Sequence, residues 1–329
     1  SMRQTKVNWE VAKFRANILT DIRHFFQSKK VIEVETPSLS VGTITDPYLD
    51  AFCSKYNFFE SSDFSVSQIL YLQTSPEFHM KRLLASGYGS IYQICKAFRH
   101  EEAGCNHNPE FTMLEWYRLG FDHFDLMVEV GDLLKIILIC AEPEQVTYQA
   151  LFIEKVNIDP LKTTRTELLE LIKCHGMLSD WLVTDSKSDV DNDILLQFVF
   201  TEIIEPTIGI DAPCFVYNFP KSQASLAKLS LTDGRVAERF ECYYQGIELV
   251  NGFHELTDEK LQIERFQVDN IKRLTKGLPK KPLDTRFTNA LTHGLPQCSG
   301  VALGIDRLVM LALKAEHIEQ VLSFPIERA

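Results

Sequence analysis

Residues 235–258, which read RVAERFECYYQGIELVNGFHELTD, constrain the fold more than any other segment of the chain. Apolar and polar residues alternate on either side of Gln245 and Gly246. This pattern predicts a β-hairpin with a two-residue turn, in which Tyr243 pairs with Glu248. Carboxylates on buried strands are costly unless cations lie nearby, so we expect a divalent metal and a cationic substrate as their partners. The carboxylates concerned are Glu238, Glu241, Glu248 and Glu255.

The alternation of side chains assigns these carboxylates to faces of the hairpin. Glu241 and Glu248 share one face, where two carboxylates suit a magnesium ion that bridges nucleotide phosphates. A solvated strand face that merely carries charges is the alternative. Glu255 has the opposite parity to Glu248, so strict alternation would send it to the other face. We predict a β-bulge at Asn251 and Gly252 that returns Glu255 to the face of Glu248.

A second segment, KAFRHEEAGCNHNPEFTMLEWY, predicts two strands joined by a polar loop. Arg99 ends the first strand, and Glu101 lies just beyond it. Phe111 and Glu115 lie on the returning strand. The planar guanidinium of an arginine can bind a carboxylate or a phosphate through two parallel hydrogen bonds, and an aromatic ring can stack on a purine. A surface ion pair is the alternative for an isolated arginine at a strand end.

A third segment, GVALGIDRLVM, predicts a strand, a tight turn at Gly304 and then a helix. Arg307 lies in the first turn of that helix, whose N-terminus favours anions. An arginine at this position can contact a terminal phosphate. A helix that begins in this way is common, so the segment gains weight only from the other two.

The composition excludes several classes of protein. The formal net charge is −11, which disfavours binding of long nucleic acids, although a local basic patch could bind RNA, and favours a basic protein partner. No apolar run reaches the ~20 residues that span a bilayer, and the sequence does not open with a signal peptide, so we expect a cytoplasmic protein. The eight cysteines form no CxxC pair, which favours reduced thiols over a zinc site.

Hydrophobic periodicity predicts strands joined by hairpins, with helices inserted between them. This order favours an α+β fold with an antiparallel sheet flanked by helices. A Rossmann fold is disfavoured because no strand runs into GxGxxG. Ser75, Pro76 and Glu77 form a strong helix start. The predicted helices cover 8–30, the segment from this start to Gly87, 122–141, 165–175, 190–204 and 257–276, and the other predicted strands cover 31–40, 69–73 and 214–219.

Taken in order, these segments resemble the catalytic domain of class II aminoacyl-tRNA synthetases. The ETP that ends at Pro37 is similar to their dimer-forming first motif, FRHE through Glu115 to the second, and GIDR to the third. HNPEFTMLEWY and NGFHELTD are similar to the lysine-specific branch. The resemblance covers roughly residues 8–329. It implies one catalytic domain over 1–329, with a helical insertion at 142–212.

The resemblance also implies a role for each candidate residue in the ATP-dependent activation of a lysine-type amino acid. The two catalytic residues would be Arg99 and Arg307. Arg99 would hold the substrate carboxylate and the α-phosphate, and Arg307 would hold the γ-phosphate. Glu241 and Glu248 would bind Mg²⁺. The further ATP-binding residues would be Glu101, His107, Asn108 and Phe111. The amino-acid pocket would comprise Ser75, Glu77, Glu115, Tyr117, Asn251, Phe253, Glu255 and Ala302.

YLQTSPEFHMKRLL, SQASLAK and CSGVALGIDRL are similar to a truncated group within the lysine branch. That group implies activation of (R)-β-lysine, and less well of α-lysine, with transfer to a lysine side chain of elongation factor P. We therefore expect no N-terminal anticodon-binding domain and no stable tRNA binding. Ser75 and Ala302 depart from the lysyl-tRNA synthetase pattern, and we hypothesise that they adapt the pocket to a β-amino acid.

Three alternatives stay open at this point. The first is a lysine-activating ligase that acts on tRNA or on another acceptor. The second is a regulatory paralogue that binds its ligands without reacting. Such a paralogue would be expected to have lost its ATP-site residues, and this sequence keeps them. The third, an ammonia-dependent asparagine synthetase, fits poorly because an aspartate pocket should present cations. We also expect a homodimer, because the first helix and the strand at Pro37 carry an apolar face with no evident partner within the chain.

Overall fold

The computed structural model describes residues 5–57, 68–101, 103–184 and 190–329. The chain divides into two compact units, which are described separately below. Unit 1 comprises residues 1–122 and 256–329, and unit 2 comprises residues 123–255. A single catalytic domain with an insertion at 142–212 stays a prediction.

The α-helices and β-strands of the described residues account for both units. The helices are α1 (Trp9–Ser28), α2 (Glu77–Ala85), α3 (His123–Leu138), α4 (Tyr148–Val156), α5 (Arg165–Cys174), α6 (Asp180–Thr184), α7 (Val190–Val199), α8 (Glu259–Thr275), α9 (Thr285–Gly294) and α10 (Ile305–Leu313). The strands are β1 (Ile32–Glu33), β2 (Leu39–Ser40), β3 (Cys53–Tyr56), β4 (Gln68–Leu72), β5 (Ile91–Phe98), β6 (Glu110–Leu119), β7 (Glu144–Thr147), β8 (Cys214–Pro220), β9 (Val236–Tyr244), β10 (Ile247–His254) and β11 (Cys298–Gly304).

Unit 1 is built on a sheet with the strand order β1-β5-β6-β11. The β5–β6 and β6–β11 pairs are antiparallel, and β1 runs parallel to β5. One face of this sheet is apolar and packs against α1. The ring of Phe26 stacks on Tyr92 with centroids 4.4 Å apart and meets Trp116 edge-on at 5.1 Å. A smaller antiparallel sheet has the order β2-β4-β3.

Unit 2 is built on a sheet with the strand order β10-β9-β8-β7, in which only the β7–β8 pair is parallel. A cluster of buried apolar side chains joins this sheet to α4, α5 and α7, with Tyr148, Phe152 and Phe200 at its centre. Residues 142–212 therefore contain β7 and the helices α4–α7. The strands and helices of both units confirm the predicted α+β class, with mostly antiparallel strands flanked by helices.

The β9–β10 hairpin confirms the predicted turn and pairing. Gln245 and Gly246 both have a positive φ, 49° and 76°, as this tight turn requires, and Tyr243 lies opposite Glu248. A bulge is present, but its predicted position was wrong, because the register shifts between Glu248 and Val250.

Gly252 is needed for packing rather than for the bulge. A Cβ atom at this position would overlap the ring of Phe240, which lies opposite it on β9 and is fully buried. The glycine that suggested a bulge therefore marks a close approach of the backbone to an aromatic ring.

Several other predictions need correction. The strand predicted within 31–40 was expected to stop at Pro37; it is only Ile32–Glu33, and Leu39–Ser40 after the proline forms a second short strand in another sheet. Helix α2 begins at Glu77, one residue after Pro76. The sequence reading missed β7, α4 and α9, which are short or lie beside prolines.

The apolar face of α1 was expected to have no partner within its own chain, and this was wrong. Ile18, Ile22, Phe25 and Phe26 are buried within the chain. Of the other apolar side chains on that helix, Phe14 is 38% exposed and Trp9 is 73% exposed. The argument for a homodimer from an uncovered helix face is therefore weakened. Among the described residues, no helix has the length and apolar character needed to cross a membrane.

Candidate active site

One face of the unit 1 sheet carries four of the predicted site residues of that unit. Phe111, Glu115 and Tyr117 alternate along β6 and therefore point to the same side. Ala302 lies directly opposite Glu115 on β11. The opposite face holds Trp116 and packs against α1. The sheet thus separates a polar face from an apolar core face.

Glu115 and Tyr117 form a buried pair on this polar face. The Tyr117 hydroxyl donates to a carboxylate oxygen of Glu115 at 3.0 Å, and the two residues are only 2% and 4% exposed. The negative charge of Glu115 also helps to raise the pKa of the nearby Cys95 thiol to about 12, after the larger effect of burial. A buried carboxylate of this kind can bind an ammonium group.

The loop between β5 and β6 brings Arg99 to the same face. The Arg99 guanidinium lies 5.2 Å from the centre of the Phe111 ring. Its backbone N–H donates to the carbonyl of Pro109 at 2.9 Å, and the N–H of Glu101 donates back to the Arg99 carbonyl at 2.9 Å. This tight backbone fixes a guanidinium beside an aromatic ring, which suits a phosphate next to a stacked base.

Asn108 supports the same loop. Its Nδ2 donates to the carbonyl of Glu110 at 2.6 Å, and its Oδ1 accepts from the N–H of Ile326 at 3.1 Å. The side chain is buried. Its contacts therefore hold the loop in place, and the ATP contact implied by the resemblance stays a prediction.

His107 lies beside Arg307. Arg307 follows Asp306 in the first turn of α10. The Arg307 Nη2 donates to His107 Nε2 at 3.2 Å, and its Nε donates to the carbonyl of Asn106 at 3.2 Å. Burial and the charge of Arg307 lower the pKa of His107, while Glu101 opposes them in part. The imidazole is therefore neutral at neutral pH and accepts this hydrogen bond.

Asp306 anchors the helix that carries Arg307, a role that the sequence analysis did not assign. Its carboxylate forms an ion pair with Arg15 at 2.7 Å and accepts from the backbone N–H of Thr112 at 2.7 Å. The side chain of Asp306 is 2% exposed. This buried contact fixes the start of α10 against β6 and α1.

The start of α2 places Ser75 and Glu77. The Ser75 hydroxyl accepts from the Glu77 N–H at 3.3 Å. The Glu77 carboxylate forms an ion pair with Lys81 at 2.8 Å, one turn along the helix. Lys81 is 1% exposed and Glu77 14%, so this is a buried pair rather than a surface contact. The negative charge of Glu77 already has one partner in the chain.

In unit 2, the bulge returns Glu255 to the face of Glu248, as predicted. Past the bulge, Asn251 lies opposite Glu241, and Phe253 lies opposite Arg239. Because opposed residues share a face, Glu248, Asn251 and Phe253 point to the same side as Glu241. Alternation sends Glu255, which is 1% exposed, to this side as well.

Arg239 organises this face of the hairpin. Its guanidinium donates to a Glu241 oxygen at 2.6 Å, to Asn251 Oδ1 at 3.1 Å and to the Gln223 carbonyl at 2.7 Å. The hydroxyl of Tyr243 donates to the other oxygen of Glu241. Burial, followed by the charge of Glu241, raises the pKa of Tyr243 well above its ordinary value, so the phenol stays protonated.

The donor set of this face fits a magnesium ion. Each oxygen of Glu241 accepts one hydrogen bond and keeps a second lone pair. Glu248 shares the same face, two positions away, and carboxylate oxygens are the ligands that Mg²⁺ prefers.

The sequence analysis missed four residues that support the site, namely Asp306, Lys81, Arg239 and Tyr243. The spacing of four residues between Glu77 and Lys81 on a predicted helix could have indicated their ion pair. Likewise, Arg239 and Tyr243 have the same parity as Glu241 on one strand. In each unit, alternation and pairing bring the predicted residues that lie on strands to one face.

Comparisons with known proteins identify the family of the chain. The model of the family tRNA synthetases class II (D, K and N) matches residues 1–328. The chain is 50% identical to an elongation factor P–(R)-β-lysine ligase of Haemophilus ducreyi, over 99% of this chain and 98% of that protein. It is 51% identical to the protein of the same name from Photobacterium profundum, over 96% of each chain, and 52% identical to that from Yersinia enterocolitica, over 96% of this chain and 94% of that protein. The resemblance found in the motifs is confirmed, and the chain belongs to the class II tRNA synthetase family of the D, K and N group.

Proposed function

We propose that the protein activates (R)-β-lysine, and less well α-lysine, with ATP as an aminoacyl-adenylate and transfers it to a lysine side chain of elongation factor P. The observation that carries this proposal is the polar face of unit 1, where Arg99 and Phe111 lie on the same side as the buried Glu115. A phosphate-binding arginine beside an ammonium-binding carboxylate suits the activation of an amino acid that carries a second amine. The names of the relatives support β-lysine and elongation factor P as the two substrates.

In the first step, a carboxylate oxygen of the amino acid attacks the α-phosphorus of ATP, and the bond to diphosphate breaks. Arg99 neutralises the charge that develops on the α-phosphate, Arg307 holds the γ-phosphate, and neutral His107 orients Arg307. Phe111 and Glu101 bind the adenine. Glu241 and Glu248 would hold Mg²⁺, which supplies positive charge to the phosphates. Positioning and charge neutralisation drive the reaction, and no protein nucleophile is required.

The resemblance implies the residues that would bind the amino acid. Glu115 with Tyr117, and Glu255, would offer negative charge to its ammonium groups, and Asn251 and Phe253 would contact the rest of the substrate. Glu77 contributes less charge than the sequence implied, because Lys81 already neutralises part of it. In the second step, the amine of the acceptor lysine attacks the carbonyl of the adenylate. An amide bond forms, AMP leaves, and the amine loses a proton.

A label-transfer assay tests the acceptor and the amino acid together. The protein is incubated with ATP, Mg²⁺ and labelled (R)-β-lysine or α-lysine, with purified elongation factor P or bulk tRNA. RNase-resistant label on elongation factor P, with β-lysine preferred, is the expected result. RNase-sensitive label on tRNA would overturn the acceptor and favour the tRNA-acting alternative. We also propose that the protein is a homodimer. Light scattering on the same preparations would measure its molecular mass.

Exchange of labelled diphosphate into ATP separates a catalyst from a protein that only binds. Arg99→Ala should lower this exchange by about 100-fold or more, as expected for the loss of a charge that stabilises the transition state. Arg235→Ala is the matched control, because Arg235 is exposed and paired only with its neighbour Asp233 among the contacts described. Exchange that survives Arg99→Ala in a folded protein would remove the central role given to Arg99.

A further inference from the structure

A cluster of metal-ligating side chains lies in unit 2, at His123, Glu238 and His254. His123 opens α3, Glu238 lies on β9, and His254 ends β10. The distance from His254 Nδ1 to Glu238 Oε2 is 2.5 Å, and that from His123 Nδ1 to the same oxygen is 3.9 Å. One ligand atom from each residue lies within 4.8 Å of the other two. Three ligand atoms thus converge on one point, although the residues are distant in sequence.

This cluster lies on the other side of the hairpin from the candidate magnesium ligands. Phe253 pairs with Arg239, and these two share the face of Glu241. His254 and Glu238 are the next residues along the two strands, so they point to the opposite face. An ion bound at this cluster would therefore be separate from the candidate magnesium ion. The proposed adenylation chemistry makes no use of it.

The burial of the three side chains suits a bound ion. His123 is 3% exposed, and the side chains of Glu238 and His254 are 17% and 13% exposed. The ring of His123 packs 4.2 Å from Phe124 and 6.2 Å from Tyr217, centroid to centroid. Aromatic neighbours hold the imidazole in place and exclude bulk water on that side. The partial exposure of the other two leaves room for an exchangeable water ligand.

The charge of the cluster also suits a cation. The Glu238 carboxylate lies against both imidazoles and supplies the negative charge that a bound cation requires. Two imidazole nitrogens and one carboxylate oxygen, with a fourth position for water, form the ligand set of many zinc sites. Mg²⁺ prefers oxygen ligands alone.

We propose that His123, Glu238 and His254 bind a divalent transition-metal ion, with Zn²⁺ as the best fit. Binding displaces the proton shared between His254 and Glu238 to solvent, and the nitrogen lone pair then coordinates the ion. Unit 2 comprises residues 123–255, so His123 is its first residue and His254 its last but one. The ion would therefore join the two ends of this unit and brace the end of β10, next to Phe253 and Glu255.

Cobalt substitution tests the site directly. The full-length protein is freed of metal with a chelator, supplied with excess Mg²⁺ to fill oxygen-ligand sites, and titrated with Co²⁺ as a coloured probe for Zn²⁺. We expect one equivalent to bind, with visible absorption bands of a nitrogen- and oxygen-ligated ion. Intense near-ultraviolet charge-transfer bands would show thiolate ligands instead and would overturn the assignment, since the chain has eight cysteines.

Variants at the cluster complete the test. Glu238→Gln, which keeps the size of the side chain, and His254→Ala should each weaken Co²⁺ binding by more than about 100-fold, because changes to residues that only hydrogen-bond a metal ligand already cost up to about that much. His100→Ala is the matched control, because His100 faces a single carboxylate, Asp50, at 2.9 Å on the surface. It should bind Co²⁺ as the wild type does.

Thermal unfolding and circular dichroism distinguish the loss of a metal site from the unfolding of a variant. Zn²⁺ should raise the melting temperature of the wild type and of His100→Ala but not that of Glu238→Gln, whose far-ultraviolet circular dichroism should match the wild type. If the wild type gives no cobalt bands, or if folded Glu238→Gln and His254→Ala both retain them, the cluster is an ion pair and not a metal site.

Discussion

Replacing Lys81 with Met removes an ammonium group from the interior while keeping most of the side-chain volume. The Lys81 side chain is 1% exposed, and its Nζ lies 2.8 Å from an oxygen of Glu77. The same ammonium group lies 5.9 Å from the centre of the Phe287 ring. The variant leaves the Glu77 carboxylate in a largely buried position without this cation. We therefore expect a loss of stability well beyond that of a surface ion pair.

The burial of the pair sets the expected magnitude. An exposed pair with this spacing on a helix contributes about 0.3–0.5 kcal/mol. Breaking a buried pair by removing one partner costs about 3–5 kcal/mol. Glu77 is 14% exposed, so water can relieve part of the cost. We expect Lys81→Met to lower the free energy of unfolding by about 3 kcal/mol. Lys13→Met is the control, because its ion pair with Glu10 is exposed and should matter by about 0.5 kcal/mol or less.

Urea denaturation followed by tryptophan fluorescence measures the effect in unit 1. Trp116 is fully buried there, and Trp181, which lies in unit 2 and is 58% exposed, is first replaced with Phe. A double-mutant cycle with Glu77→Gln then isolates the pair. We expect a coupling free energy of about 2 kcal/mol. Additive effects, or a cost of Lys81→Met that matches the surface control, would refute the argument from burial.

Three further predictions concern specificity, pH and packing. Ala302→Gly should lower the ratio of kcat/KM for β-lysine over α-lysine by up to about 10-fold, since one methyl group is worth about 1 kcal/mol or more in a pocket; an unchanged ratio would remove position 302 as a determinant. Folding lowers the pKa of His107, so the unfolded chain binds more protons than the folded chain just below about pH 6.5. The free energy of unfolding of the wild type should therefore fall there more than that of His107→Gln. Parallel pH profiles of the two unfolding free energies would contradict this. Gly252→Ala should cost about 1–3 kcal/mol by overlap with Phe240, whereas Gly234→Ala, with open space around it, should cost about 0.5 kcal/mol or less in the same denaturation assay.

Much of the fold could be predicted from the sequence because its signals are local. The turn at Gln245 and Gly246 and the pairing of Tyr243 with Glu248 depend on turn chemistry and strict alternation, and both are confirmed. The helices at 165–175 and 257–276 were placed within about two residues by their periodicity. The sharing of a face by Phe111, Glu115 and Tyr117 follows from the same alternation.

The rest could not be predicted because it depends on contacts between distant residues. The position of the bulge is set by the pairing of β10 with β9, and Gly252 was misread because the ring it meets belongs to Phe240, twelve positions earlier. The role of Asp306 depends on Arg15, which lies almost at the other end of the chain. Short elements such as β7 carry too few residues for a pattern to stand out.

Buried carboxylates alone do not identify a ligand site in this protein. Carboxylates on the hairpin were expected to require a metal and a cationic substrate, yet the chain supplies cations or donors to several of them. Arg239 and Tyr243 contact Glu241, and His254 contacts Glu238. The number of buried carboxylates is therefore not by itself evidence for a ligand. Shared orientation needs the same care, because Arg239 contacts both Glu241 and Asn251 and so accounts for their common face from within the chain. Glu248 on that face supplies the second carboxylate that a bound metal ion would require.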